Sequence, residues 1–159
     1  MYDTILVPTD GSPGTRDVLR HAETLATAHD SDIHALYVVE TSRFSTLPNE
    51  PTWESVTESL HREGEMALDA LERQVDEKVT VTRETATGSP SHEIVAYADD
   101  NGCDLIVMGT HGRGGIDRLL LGSVAERVVR SANVPVVTVP VETATRDAVE
   151  GERPAGVPQ

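Results

Sequence analysis

Two kinds of apolar run share this chain. Thr4–Pro8, Asp32–Val39, Asp104–Met108 and Val134–Pro140 are short blocks rich in valine, isoleucine and leucine, with the length and β-branched content of buried strands. Val79–Thr85 alternates apolar and polar positions and predicts a further strand, half exposed or near an edge. Between these blocks apolar residues recur at helical spacing. Val18, Ala22, Leu25, Ala26 and His29 form one such face, and Val56, Leu60, Ala67, Leu71 and Val75 form a second in a long helix over about residues 54–77. Ile94, Val95 and Ala98 mark a third helix, stopped by Asn101-Gly102, and Val124, Val128 and Val129 mark a fourth that ends near Asn133. Gly64 weakens the long helix at its middle.

Helix starts are written in the same stretch of sequence. Thr9-Asp10-Gly11-Ser12 reads as a turn, and Ser12-Pro13 predicts an N-cap followed by proline at the first helical position. Gly88-Ser89-Pro90 opens the third helix, and Ser123-x-x-Glu126 has the form of a capping box for the fourth. Residues 41–51 read as a loop. Residues 141–159 are polar with glycine and proline, so the expected organisation is one domain over 1–141 and a disordered tail over 142–159.

The resulting order β-α-β-α-β-α-β-α-β predicts an α/β fold, an open parallel five-stranded sheet with helices on both faces. Prolines at 135 and 140 fence the last strand and place it at an edge or in a special pairing. In such sheets ligands sit beyond the carboxyl ends of the strands, where the strand order reverses. Asp10 and the Gly109 loop follow strands one and four, so they face one crevice if those strands are neighbours.

The stretch from Gly109 to Val124 carries the chemistry. A strand, a glycine-rich loop and a helix N-terminus make a place for phosphate: glycine lets the backbone approach an anion, and the first N–H groups of a helix have no internal partner. It is not a Walker A loop, which needs Gly-Lys-Ser/Thr, because the only lysine is Lys78. The dinucleotide pattern G-x-G-x-x-G also fails, since from Gly112 and Gly114 the third position is Asp117. Phosphate would be held by backbone N–H groups, with side chains from Arg113 and His111.

The spacing Gly109-x2-Gly112-x9-Gly122-Ser123 resembles the ATP-binding signature of the universal stress protein family. The resemblance runs from Ile5-Leu-Val-Pro-Thr-Asp-Gly-Ser to the Pro135-Val-Val-Thr-Val strand, and leaves out the 41–55 loop and the tail. It implies a Rossmann-like sheet of strand order 3-2-1-4-5 and an adenine nucleotide, ATP or else ADP or AMP, held with Mg2+ or Mn2+. Carried over by position, Pro8, Thr9 and Asp10 would line the adenosine side, and Val38 would contact adenine through its backbone. Gly109, Gly112, Gly122, Ser123 and Val124 would hold ribose and phosphates, with His111 and Arg113 at variable places of the loop. The resemblance places the metal mainly on phosphates and water, with no protein ligand. It also implies a homodimer through the last strand, 135–140.

Simpler roles compete for the same residues. Asp10 could serve only the turn that follows it, and Ser123 could spend its hydroxyl on capping. Cys103 reads as a small core residue, and His21, His29, His34, His61 and His92 are scattered with no metal spacing. No Gly-x-Ser-x-Gly elbow and no Ser/His/Asp set can be assembled, so no catalytic residue is assigned. The favoured function is a regulatory nucleotide-binding stress module. The alternatives are a slow ATP hydrolase or nucleotide-processing enzyme using the same loop, and a dimeric scaffold with an empty site.

Net charge changes the list of partners. At −14, with 27 acidic residues against 13 basic ones, the chain disfavours nucleic acid and anionic membranes. All basic residues but Lys78 are arginine, and an acid-rich, lysine-poor surface suits a salt-rich cytoplasm, where screening weakens self-repulsion. The single cysteine excludes an internal disulfide. With no apolar run of membrane length and no cleavable signal pattern at Met1–Pro8, the expected location is the cytoplasm.

Overall fold

The computed structural model describes residues 1–41, 50–111 and 120–141, with side chains of the long helix from 53 onward. The elements are β1 (Thr4–Thr9), α1 (Thr15–His29), β2 (Asp32–Val39), α2 (Glu50–Gln74), β3 (Val81–Thr87), α3 (Pro90–Asp100), β4 (Leu105–Gly109), α4 (Ser123–Ser131) and β5 (Val136–Val139). The sheet has the order β3-β2-β1-β4-β5 with every pair parallel. This is the doubly wound arrangement the sequence predicts.

The strands read as nearly continuous apolar runs because both faces are covered. On one face Ile5, Val7, Ile33, Ala35, Tyr37, Val39, Leu105 and Val107 pack with Val18, Leu19, Ala22 and Ala26 of α1 and Leu68 and Leu71 of α2. On the other, Leu6, Leu36, Ile106 and Met108 pack with Ile94 and Ala98 of α3 and Ala125 and Val128 of α4. Cys103 is buried in this second layer, the core role expected of it.

β1 and β4 are neighbours, but only briefly. Their rungs are Ile5–Leu105 and Leu6–Ile106, and among the described residues none follows. β1 continues to pair with β2 up to Thr9–Tyr37, and β4 with β5 up to Gly109–Val139. The sheet therefore splits at the carboxyl ends of its two central strands, at the point where the strand order reverses.

Several boundaries differ from the sequence expectation. α1 starts at Thr15, not after a Ser12 cap: Gly14 is the cap residue, and the Ser12 and Pro13 carbonyls accept the N–H groups of Thr15 and Arg16 in a tight turn. The expected loop gives way to helix at Glu50, and α2 ends at Gln74; residues 42–49 of that loop lie outside the described residues. β3 begins two residues later than expected because Asp76–Val79 is a turn, with the Val79 N–H donating to the Asp76 carbonyl. At α4 Gly122, not Ser123, is the cap residue, so the predicted capping box does not form; Glu126 instead pairs with Arg130 one turn on, at 2.8 Å. α4 ends at Ser131, and β5 is limited to Val136–Val139. The expected tail, 142–159, lies outside the described residues.

Candidate nucleotide crevice

The split between β1 and β4 opens into a crevice of about 550 Å³. That is within the range of small-molecule sites. Its floor comes from the strand ends, Pro8 and Thr9 of β1, Leu36–Val39 of β2, and Met108 and Gly109 of β4. One wall is α2, through Leu60 and Glu63; another is the N-terminal turn of α4.

Pro8, Thr9, Asp10, Val38, Gly109, His111, Gly122, Ser123 and Val124 all line this crevice. Gly112 and Arg113 lie outside the described residues. Residues that sequence reasoning missed also line it, among them Gly14, Tyr37, Glu40, Leu60, Glu63 and Val141. For Leu60 a signal existed, since it sits on the periodic face of the long helix. For Val141 none did, because the residue follows the last strand in a stretch that reads as tail.

The β1–α1 turn is locked by its own side chains. The Thr9 hydroxyl accepts the Gly11 N–H at 3.1 Å and bonds the Thr15 hydroxyl at 3.0 Å. Asp10 Oδ1 accepts the Ser12 N–H at 2.9 Å, so the turn-forming role of this aspartate is realised in the structure. Gly11 sits at φ 76°, a conformation glycine adopts at no steric cost.

Across the crevice, the Gly122 N–H donates to the Thr110 carbonyl at 2.7 Å, tying the start of α4 to the end of β4. A Cβ at Gly122 would stand 3.1 Å from that carbonyl, a tight contact that a few tenths of an ångström of movement would relieve, so glycine keeps the approach open. The first helical bond of α4 runs from Glu126 N–H to Gly122 C=O at 2.9 Å. The N–H groups of Ser123, Val124 and Ala125 therefore find no backbone acceptor among the described residues, and all three residues line the crevice. The Ser123 hydroxyl, released from capping, also makes no hydrogen bond to another described residue. Beside them His111 is oriented by Nδ1, 3.1 Å from the Thr110 hydroxyl. The helix N-terminus adds positive potential to this end.

Asp10, Glu40 and Glu63 also line the crevice and are the acidic residues of its wall. No group of three or more His, Cys, Asp or Glu side chains is arranged for a metal ion among the described residues. The displaced titrations lie elsewhere. Burial pushes the Cys103 thiol up to about 11, with a further push from Asp104, and burial raises Tyr97, with Cys103 and Glu84 adding to it. Neither side chain lines the crevice.

Residues 1–140 match the universal stress protein family. The chain is a member of that family. It is 43% identical over 140 residues to universal stress protein MJ0531 of Methanocaldococcus jannaschii, covering 87% of this chain and 82% of that one. The solved structure of MJ0577, a universal stress protein of the same organism, aligns with a TM-score of 0.80 at 29% identity, covering 91% of this chain and 99% of that one. More distant members share the fold. One was solved in complex with cAMP, at 23% identity and a TM-score of 0.62 over 87% of this chain and 96% of that one. Another, from Archaeoglobus fulgidus, was solved with dAMP, at 22% identity and a TM-score of 0.60 over 86% and 97%. Among the described residues of this universal stress protein, no helix is long and apolar enough to cross a membrane.

Proposed function

We propose that this universal stress protein binds ATP, or ADP or AMP in its place, in the crevice between β1 and β4, and acts as a nucleotide-dependent regulatory module. The observation that carries the reading is the turn entering α4. Three backbone N–H groups there face a crevice at the sheet's reversal point, beside a glycine that keeps the approach bare. The phosphates lie on Ser123, Val124 and Ala125, and the adenosine lies toward Pro8, Thr9, Asp10 and Val38. Gly112 and Arg113 complete the phosphate side. The adenine nucleotides in the cAMP and dAMP complexes of distant relatives are consistent with this ligand class. A companion Mg2+ or Mn2+ would ride on the phosphates and water.

The protein works as a homodimer through the β5 edge. β5 is apolar, short and paired only with β4 among the described residues, which fits an edge covered by a second copy. Its acid-rich, lysine-poor composition fits a salt-rich cytoplasm.

Mass spectrometry of freshly purified, denatured protein should release an adenine nucleotide, and Mg-ATP should titrate the stripped protein. Gly122→Asp places a carboxylate where phosphate would lie, beside the Thr110 carbonyl. It should abolish binding while the circular dichroism spectrum stays native. Retained affinity in that variant, or no nucleotide by either measurement, refutes the site.

A further inference from the structure

Val141, two residues past the end of β5, turns back into the crevice. It is half-buried and packs against the α1–α2 side of the core. Two glycines from separate elements accommodate it. A Cβ at Gly14 would stand 2.9 Å from both Cβ and Cγ1 of Val141 and 3.4 Å from its Cγ2, the three nearest atoms all belonging to that one side chain. A Cβ at Gly109 would stand 3.2 Å from Val141 Cγ1.

The backbone at Gly14 does not itself require glycine. Its φ of −63° and ψ of −18° are ordinary right-handed helical values that any residue adopts. The described obstacle to a side chain there is Val141. Gly109 is likewise absent from the positive-φ positions, so close approach accounts for it better than backbone conformation does.

We propose that Val141 is a positioning residue of the nucleotide crevice, a wedge seated between the β1–α1 turn at Gly14 and the end of β4 at Gly109. The chain leaving β5 thereby fixes the separation of the two loops that flank the ligand. Displacing β5 displaces Val141, and with it the geometry offered to the nucleotide. The edge strand and the binding site are thus one mechanical unit. The proposal rests on the nucleotide reading of the crevice given above.

The test is calorimetric titration of the full chain with Mg-ATP, for wild type, Gly14→Ala, Val141→Gly and the double variant. Gly14→Ala forces the wedge out of its seat and should weaken binding about tenfold, the scale of an overpacked contact. Val141→Gly empties the seat and should weaken binding about threefold. In the double variant the new methyl group enters the vacated space, so it should bind at least about threefold tighter than Gly14→Ala alone. A merely structural contact would change the melting temperature and leave the affinity of the folded protein untouched. Wild-type affinity in Gly14→Ala, or a double variant that loses the product of the two single losses, overturns the wedge. Should Gly14→Ala fail to fold, Val141→Gly decides alone, and unchanged affinity there overturns it. Failure of wild type to bind Mg-ATP sinks the nucleotide reading and the wedge together, whereas a binding wild type with indifferent variants sinks only the wedge.

Discussion

Gly64 of α2 lies directly on the ring of Tyr37 in β2: a methyl group at position 64 would stand 2.6 Å from Tyr37 Cδ1 and 3.1 Å from Cε1. Glycine inside a helix ordinarily costs about 1 kcal/mol relative to alanine. Here it lets α2 sit close enough to bury the ring, which is 7% exposed.

Gly64→Ala should therefore destabilise the protein although it raises helix propensity. Overpacking of about 1–3 kcal/mol outweighs the gain of about 1 kcal/mol, leaving a net loss of up to about 2 kcal/mol. Urea unfolding would show it as a lowered midpoint at constant slope. Trimming the ring in Gly64→Ala/Tyr37→Leu should bring the two losses below their sum. A more stable Gly64→Ala would contradict the packing.

Much of the fold was legible because burial on both faces of the sheet writes itself as unbroken apolar runs at 5–7, 35–39 and 105–108. The layer order and most helix faces followed from those runs and from helical periodicity. What escaped was decided by contacts distant in sequence. Gly64 reads as a weak point of the helix in sequence, and only its contact with Tyr37 gives it a role. Ser123-x-x-Glu126 has the form of a capping box, but the bond from Gly122 N–H to the Thr110 carbonyl sets the helix start one residue earlier. Val141 belongs to the crevice through packing against Gly14 and Gly109, and no local pattern encodes that. The strand-end and loop residues of the candidate site were readable as a signature, whereas its α2 wall depended on tertiary placement.

Asp104 joins β1 to β4 at the end away from the crevice. Its Oδ2 accepts the Asp3 N–H at 2.8 Å and its Oδ1 the Thr4 N–H at 3.2 Å, while its own N–H donates to the Thr4 carbonyl at 3.0 Å. Asp104→Ala removes both side-chain bonds and should cost about 1–3 kcal/mol. Hydrogen exchange should quicken first at Asp3 and Thr4. Unchanged exchange there would mean that the carboxylate does not hold the strand.

Cys103 makes stability depend on alkaline pH. Its thiol, 3% exposed, is raised from 9.0 to about 11, so the folded state holds the proton more tightly than the unfolded chain. The contribution is intact below pH 9.0 and is lost as pH climbs toward about 11. Over that window the advantage of wild type over Cys103→Ala should shrink by about 2–3 kcal/mol. Paired thermal melts at pH 8 and at pH 11 would measure it, and a constant difference would exclude the thiol as the cause.

Net charge predicts a salt response. With −14 on the chain, self-repulsion in dilute buffer should be relieved as the screening length falls from roughly 30 Å at 0.01 M to 3 Å at 1 M. The melting temperature should rise over that range in potassium chloride. Equal stability in dilute buffer and in molar salt would rule out a salt-rich setting as the reason for the composition.

The rungs between β1 and β4 stop at Leu6–Ile106, although both strands run on for three more residues. Beyond that last rung each strand keeps its pairing on the outer side, β1 with β2 and β4 with β5, and loses only the partner it faces across the gap. The same two strands that bind the sheet together on their outer sides thus leave their inner edges open over Pro8, Thr9, Met108 and Gly109, so one stretch of chain both builds the frame and borders the opening.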